Sequence, residues 1–176
     1  MEAFKFLRPG RVAPFTGVTW PPPGNWLASP EPPELCRAGV HALLADVLAT
    51  WIAEELWRVE LDGGQEVAPG IVVASRGRLL GRVEAWNDQT AGEFARACAA
   101  HVGAQPTGRA VEYAADAAAA ADEAEDSDSA IKVGYMAAHA AEAMAPGGFA
   151  VERRWQSRWL ADRLGVRDQV ERDHGR

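Results

Sequence analysis

The chain has 176 residues and lacks most of the signals by which function is read from sequence. It holds no apolar run of about 18 residues or more, so no membrane partner is expected. Met1 to Arg11 alternates aromatic with charged residues and has no continuous apolar stretch of the signal-peptide kind, so a cytoplasmic protein is expected. Cysteine is scarce. Cys36 and Cys98 are the two present, and in an unsecreted chain they read as thiols rather than a disulfide. Lysine is scarcer than its charge class suggests: of 18 basic residues only Lys5 and Lys132 are lysine. Neither half of the chain is basic. Residues 1–88 carry 8 basic and 11 acidic groups, residues 89–176 carry 10 and 14, and the whole sums to -7. That balance argues against a nucleic-acid partner. Also missing are the Gly-x-Gly-x-x-Gly turn, the Walker loop, the Gly-x-Ser-x-Gly elbow and the His-Glu-x-x-His helix. The common nucleotide-binding and hydrolase folds are therefore not expected, although sites can be assembled from distant residues.

What is present points to a folded chain. A hydrophobic content of 48% supplies one core and excludes a wholly disordered protein. Seven tryptophans are spread along the sequence, and 18 alanines fall between His101 and Ala150. Arg and Ala richness together suggest a GC-rich genome, so part of this composition records codon usage.

Phe4, Phe6 and Leu7 around Lys5 read as a first strand, ended by Pro9-Gly10. Seven prolines between residues 11 and 34 forbid a helix there and allow one short strand near Thr16–Trp20. That arm is expected to be ordered and pinned by Phe15, Trp20 and Trp26. Leu44, Val47, Leu48 and Trp51 have the spacing of a short amphipathic helix over Leu43–Ile52. Residues 54–86 read as an antiparallel meander, with Trp57, Val59 and Leu61 on one face of its first strand and Asp62-Gly63-Gly64 as a turn. From Thr90 the texture is helical. Thr90 and Glu93 suggest a capping box, followed by helices to about Gly103, over Val111–Ala121, over Ile131–Met144 and over Phe149–Leu164. Val151, Trp155, Trp159, Leu160 and Leu164 form the apolar stripe of the last, and Gly165 its C-cap. The expected class is α+β: a small antiparallel sheet in the N-terminal half, then about four helices, Ala-rich in the C-terminal half. The expected divisions are a β-rich lobe over 1–88 with a Pro/Trp-rich arm, a helical lobe over 89–167 packed on it, and a frayed tail over 168–176.

The run from Leu35 to Ala42, with Cys36, Gly39 and His41, followed by Val59-Glu60-Leu61-Asp62-Gly63 and Val72-Val73-Ala74, resembles an uncharacterised bacterial and phage domain. That family pairs a Cys-x-x-Gly-aromatic-His turn with a VELDG strand. The resemblance covers about the first 85 residues, and Val40 stands where the family often has an aromatic. It implies no chemistry. Residues 110–165 resemble the Ala-rich helical modules of immunity proteins from bacterial toxin systems, which implies a protein-binding role.

Several residue groups carry possible chemistry. Cys36 and His41 flank a Gly39 turn, and Cys98 and His101 are one helical turn apart; two such pairs form a tetrahedral zinc set, the one cofactor the sequence suggests. The competing reading is that Cys98 packs as a small hydrophobe. His41 and Cys36, with Glu60 as the acidic member, suggest a thiol–imidazole nucleophile acting on a polar metabolite or nucleotide. The competing reading is that His41 bonds locally and fixes its turn. His139 with Glu142, Glu112 with Asp116, and the acidic run Asp122–Asp128 fit solvated surfaces better than metal motifs. The last helix has a basic flank that includes Arg154 and Arg158, expected to face the acidic run or an anionic partner. Tryptophan is enriched at binding hot spots, so Trp20 and Trp26 in the arm are candidate contacts, with one or two of the seven expected at the surface. The leading expectation is a non-catalytic interaction or regulatory module that binds another protein. An enzyme centred on His41 and Cys36 is the alternative, and a zinc-stabilised structural protein the third. Homo-oligomerisation stays open.

Overall fold

The computed structural model describes residues 1–104 and 106–166. Among them the strands are β1 (Glu2–Leu7), β2 (Trp26–Ala28), β3 (Val40–Leu43), β4 (Glu55–Asp62), β5 (Gln65–Ala68), β6 (Ile71–Ala74) and β7 (Arg76–Arg82). They form one antiparallel sheet in the order β2-β7-β4-β1-β3-β6-β5. The helices are α1 (Asp88–Gly103), α2 (Ala110–Asp122), α3 (Ser127–Met144) and α4 (Gly148–Arg163). The class is α+β, with the sheet first and the helices after it.

The sheet curls on itself. β4, β1 and β3 stand between β6 and β7 in strand order, yet only Ser75 separates the two along the chain. One residue spans at most about 3.5 Å, so the end of β6 must meet the start of β7. Alternation along β1 then sorts its side chains. Ala3 and Leu7 face the concave side with Val40, Ala42, Val59, Leu61 and Leu79, and Phe4 and Phe6 face the helices with Leu56. Because both faces of β1 are covered, Ala3, Phe4, Phe6 and Leu7 are all apolar on either side of Lys5 rather than alternating strictly.

The helical layer is joined to the sheet by aromatic rings. Phe6 meets Trp86 edge-on at 5.7 Å, Trp86 meets Phe94 at 6.4 Å, and Phe94 meets Trp159 at 5.7 Å. Trp86 is 1% exposed, and its indole N–H donates to the Ala53 carbonyl at 2.8 Å. Alanine is useful here because helices without long side chains approach closely; Ala117, Ala121, Ala130, Ala137 and Ala140 are all buried in this cluster.

Several expectations need correction. Leu43–Ile52 is not an amphipathic α-helix: Val40–Leu43 pairs with β6, and Ala45–Thr50 is a 3-10 segment broken at Val47, where φ is -128°. Its apolar spacing also suits a tight turn, which is held by the Ala49 N–H donating to Ser157 Oγ of α4 at 3.0 Å. The arm's strand is Trp26–Ala28, while Thr16–Trp20 contributes only a bridge from Thr19 to Val12. Residues 54–86 are no simple meander, since β4 pairs with β1 and β7. Asn87 rather than Thr90 caps α1; its Oδ1 accepts from the Thr90 N–H at 3.1 Å, and the Thr90 hydroxyl donates to the Ala85 carbonyl. Asp126 caps α3 by accepting from the Ser129 N–H, so that helix begins four residues before Ile131. Val151 is 57% exposed and falls off the apolar stripe of α4. Gly165 does end α4, at φ +66°. The expected frayed tail, 168–176, lies outside the described residues.

Candidate functional site

β1 and β3 share a single paired position, Phe4 with Leu43. Beyond it the arm occupies the space beside them and leaves a cleft of about 310 Å3, lined among others by Lys5, Phe15, Cys36, Arg37, His41 and Trp51. A smaller space of about 160 Å3 continues beneath the arm, again lined by Lys5 and His41, with Trp20 and Leu27. The arm is tied down from both ends: the Trp20 N–H donates to Arg11, Gly24 to Leu79, and Ser29 to Ser75.

Lys5 sits between Ala3 and Leu7 and therefore shares their concave face. Its ammonium makes no hydrogen bond or ion pair with any described residue, and the side chain is half-buried. Burial pushes its ammonium down to about 8, since desolvation penalises the charged form. No Asp or Glu lines the cleft, and Arg37 at its mouth is the second cation. Arg37 reaches Glu34 at 3.3 Å with both groups well exposed, a pairing that neutralises little in water.

His41 is committed to its turn. Nε2 accepts the Cys36 backbone N–H at 3.0 Å, which leaves the proton on Nδ1, and Nδ1 donates to the Gly39 carbonyl at 3.2 Å. Burial chiefly, and the nearby Lys5 charge, hold its pKa below the usual histidine value, against the opposing effect of the Gly39 and Glu34 backbone. The neutral ring is the one this bonding needs. Gly39 has φ +102°, and a Cβ there would lie 2.6 Å from Val73 Cγ1, so the turn requires glycine on two counts. Cys36 is exposed and adopts φ +58°, a left-handed backbone uncommon outside glycine.

A second hollow, about 550 Å3, lies on the other side of the same aromatic wall. Phe15 and Trp51 line both, and Tyr135, Phe149, Arg153 and Arg154 complete this one. Phe15 is 76% exposed and stands edge-on to Trp51 at 6.3 Å. Tyr135 pairs with Phe149 at 6.3 Å, and the Arg153 guanidinium lies 4.5 Å over the Tyr135 ring.

The other sequence-derived candidates are dispersed. The structure brings His41 and Cys36 together, but through the cysteine's backbone rather than its thiol, and Glu60 is not in the cleft. Glu60 accepts from Arg78 Nε and Nη2 at 2.7 and 2.6 Å on β4. The thiol–imidazole–carboxylate set is thus not assembled from these three. Trp20 is 2% exposed and belongs to the concave core, which removes it as a surface contact. Trp26 is half-buried against Arg76 and Arg78, whose guanidiniums lie 4.8 and 4.9 Å from its ring centroid. All seven tryptophans are buried or half-buried, so the arm's exposed aromatic is Phe15, which does not pin it. Arg154 lines the second hollow; Arg158 is exposed but does not.

The zinc pairs also separate. Cys98 is fully buried in the helical cluster, and burial first, then the Glu152 charge, raises its thiol well above its ordinary pKa. His101 stacks on Trp155 at 3.8 Å and bonds Glu152 at 2.7 Å. Among the described residues no three of His, Cys, Asp and Glu are placed to share a metal ion, which corrects the zinc reading. Nor does the basic flank of α4 meet the acidic run: Arg163 pairs with Glu93 of α1 at 2.7 Å. Glu142, suggested as a partner of His139, accepts from the Gly147 and Phe149 N–H groups instead.

Sequence reasoning missed Lys5, Arg37 and the pairing of Phe15 with Trp51. Lys5 left a readable trace, as a lysine set between apolar neighbours of one strand in a chain with only one other lysine. Comparison with known proteins adds no further identification: no family model, curated protein or solved structure matches the chain. Among the described residues no helix is long and apolar enough to cross a membrane.

Proposed function

We propose that this protein is a non-catalytic interaction module that binds another protein, and that its contact face is the aromatic strip running from Phe15 and Trp51 to Tyr135 and Phe149. One observation carries the reading. Phe15 is a large apolar side chain 76% exposed at the junction of two hollows, beside a half-buried Trp and with Arg154 on the rim. Exposed aromatics next to arginine are the composition of binding hot spots. The resemblance of residues 110–165 to immunity-type helical modules points the same way. The enzymatic alternative loses its base, because both ring nitrogens of His41 serve the turn.

The test is site-directed photocross-linking in cells of the source organism. A benzoylphenylalanine in place of Phe15 is expected to yield one discrete adduct with a second polypeptide. The same group in place of Glu112, exposed on α2 and outside both hollows, is expected to yield none. R154E should reduce the Phe15 adduct several-fold. Equal labelling from both positions, or none from position 15, overturns the reading.

A further inference from the structure

The cleft between β1, β3 and the arm holds an arrangement that a protein-binding face does not explain. Its lining contains two cations, Lys5 and Arg37, and no acidic side chain, in a chain whose net charge is -7. Lys5 is half-buried on the concave face and lines the cleft, and no described residue offers its ammonium a hydrogen bond or an opposite charge. An ammonium partly withdrawn from water holds an anion more strongly than one in bulk solvent. An unpaired cation lining a cleft is therefore a complement awaiting an anion. The rest of the lining gives the anion's size and body. About 310 Å3 is at the small end of ligand cavities, and the walls are the rings of Phe15 and Trp51, with His41 edge-on to Trp51 at 6.3 Å. Thr16, also in the lining, has a hydroxyl that can donate a second hydrogen bond.

We infer that this cleft is a binding site for a small carboxylic acid with a flat apolar body, its carboxylate on Lys5 and its body against Phe15 and Trp51. A carboxylate suits the site better than a phosphate, since Lys5 is the one cation inside the cleft, while Arg37 stands at its mouth and is well exposed. The inference stands apart from the protein-binding reading. The two hollows share Phe15 and Trp51, but the acid is titrated into the protein alone, so its binding is read independently of any partner on the aromatic strip.

The experiment is calorimetric titration of the whole protein with 3-phenylpropionate, with its uncharged amide and with inorganic phosphate. Saturable binding of the acid is expected, with the amide and phosphate weaker by about tenfold or more, as loss of a charge-assisted hydrogen bond implies. K5M should lose the preference for acid over amide. F15A, at an exposed position, should weaken the acid several-fold while leaving the fold intact. Protection of Lys5 from reductive methylation by the acid, read against Lys132 in the same sample by mass spectrometry, gives an answer should K5M fail to fold. Equal affinity for acid and amide, phosphate binding as tight as the acid, or Lys5 methylation unaffected by the acid would each overturn the inference. None of these readouts depends on whether position 15 cross-links a protein.

Discussion

At the scale of single residues, Lys5 and His41 set the properties of the cleft, and both titrate in measurable ways. Lys5 gives up its proton at about 8 in the folded protein and near 10.5 when unfolded. Between those values the unfolded chain holds the extra proton. The cost of burying the charge is therefore fully present below about pH 8, and stability from this group rises as pH climbs toward 10.5. K5M should be more stable than the parent at pH 7 by about 1–3 kcal/mol, the size of a typical buried-lysine penalty, with the difference closing at pH 10.5. Urea unfolding of both proteins at the two pH values measures this. His41 behaves in the same sense at acid pH. Its folded pKa lies below the ordinary 6.5, so the unfolded chain protonates first and stability falls as pH drops through that window. H41A should cost about 1 kcal/mol at pH 7, the worth of a hydrogen bond or two around a turn, and almost nothing once the parent's imidazole is protonated. The local role of His41 was legible in the sequence from its neighbour Gly39. Lys5 left only a trace, as a lysine between apolar strand neighbours, because its place in the cleft follows from the curl of the sheet.

Elements are held by a few close approaches, and these were less readable. Strands β1 and β4, helices α2 and α4 and the end of α3 follow from apolar patterning and turn residues, whereas the start of α3 is set by the Asp126 cap. The 3-10 segment does not, since its i, i+3, i+4 spacing is shared with an α-helix and only the bond from Ala49 to Ser157 of α4 decides between them. The corner from α3 to α4 is similar. Gly148 packs so that the Ala141 carbonyl occupies the space a Cβ would need, and Glu142 reaches across to the N–H groups of Gly147 and Phe149. G148A should therefore destabilise by about 3 kcal/mol, at the upper end of overpacking costs, and E142A should lower the midpoint by freeing the two N–H groups it accepts from. Both are read from thermal midpoints. The ladder in which Arg76 and Arg78 lie against the Trp26 ring and pair with Asp62 and Glu60 is more exposed. E60Q should change stability by less than about 1 kcal/mol. A much larger loss would restore Glu60 to a role that its ion pair does not suggest.

For the whole molecule, the sheet and the helices share one apolar cluster, so they should unfold together. Phe4, Phe6 and Leu56 of the sheet lie in the same buried set as Phe94, Val133 and Leu160 of the helices, with Trp86 between them. W86A should cost about 3–5 kcal/mol and leave near-ultraviolet and far-ultraviolet transitions coincident. Separate transitions would show two units where the sheet and the helices share one buried cluster. The order of sheet then helices was readable from composition, whereas the cleft depends on contacts between residues 5, 15, 41 and 51 that only the closed sheet creates. Its central feature is a cation kept at a cost to stability in order to bind. One thermal-melting experiment addresses that directly, on the parent and K5M, each with and without 3-phenylpropionate at pH 7. The expected result is that K5M melts higher than the parent without ligand, and that the acid raises the midpoint of the parent alone. A lower midpoint for folded K5M, or an equal rise for both proteins on adding the acid, would contradict it.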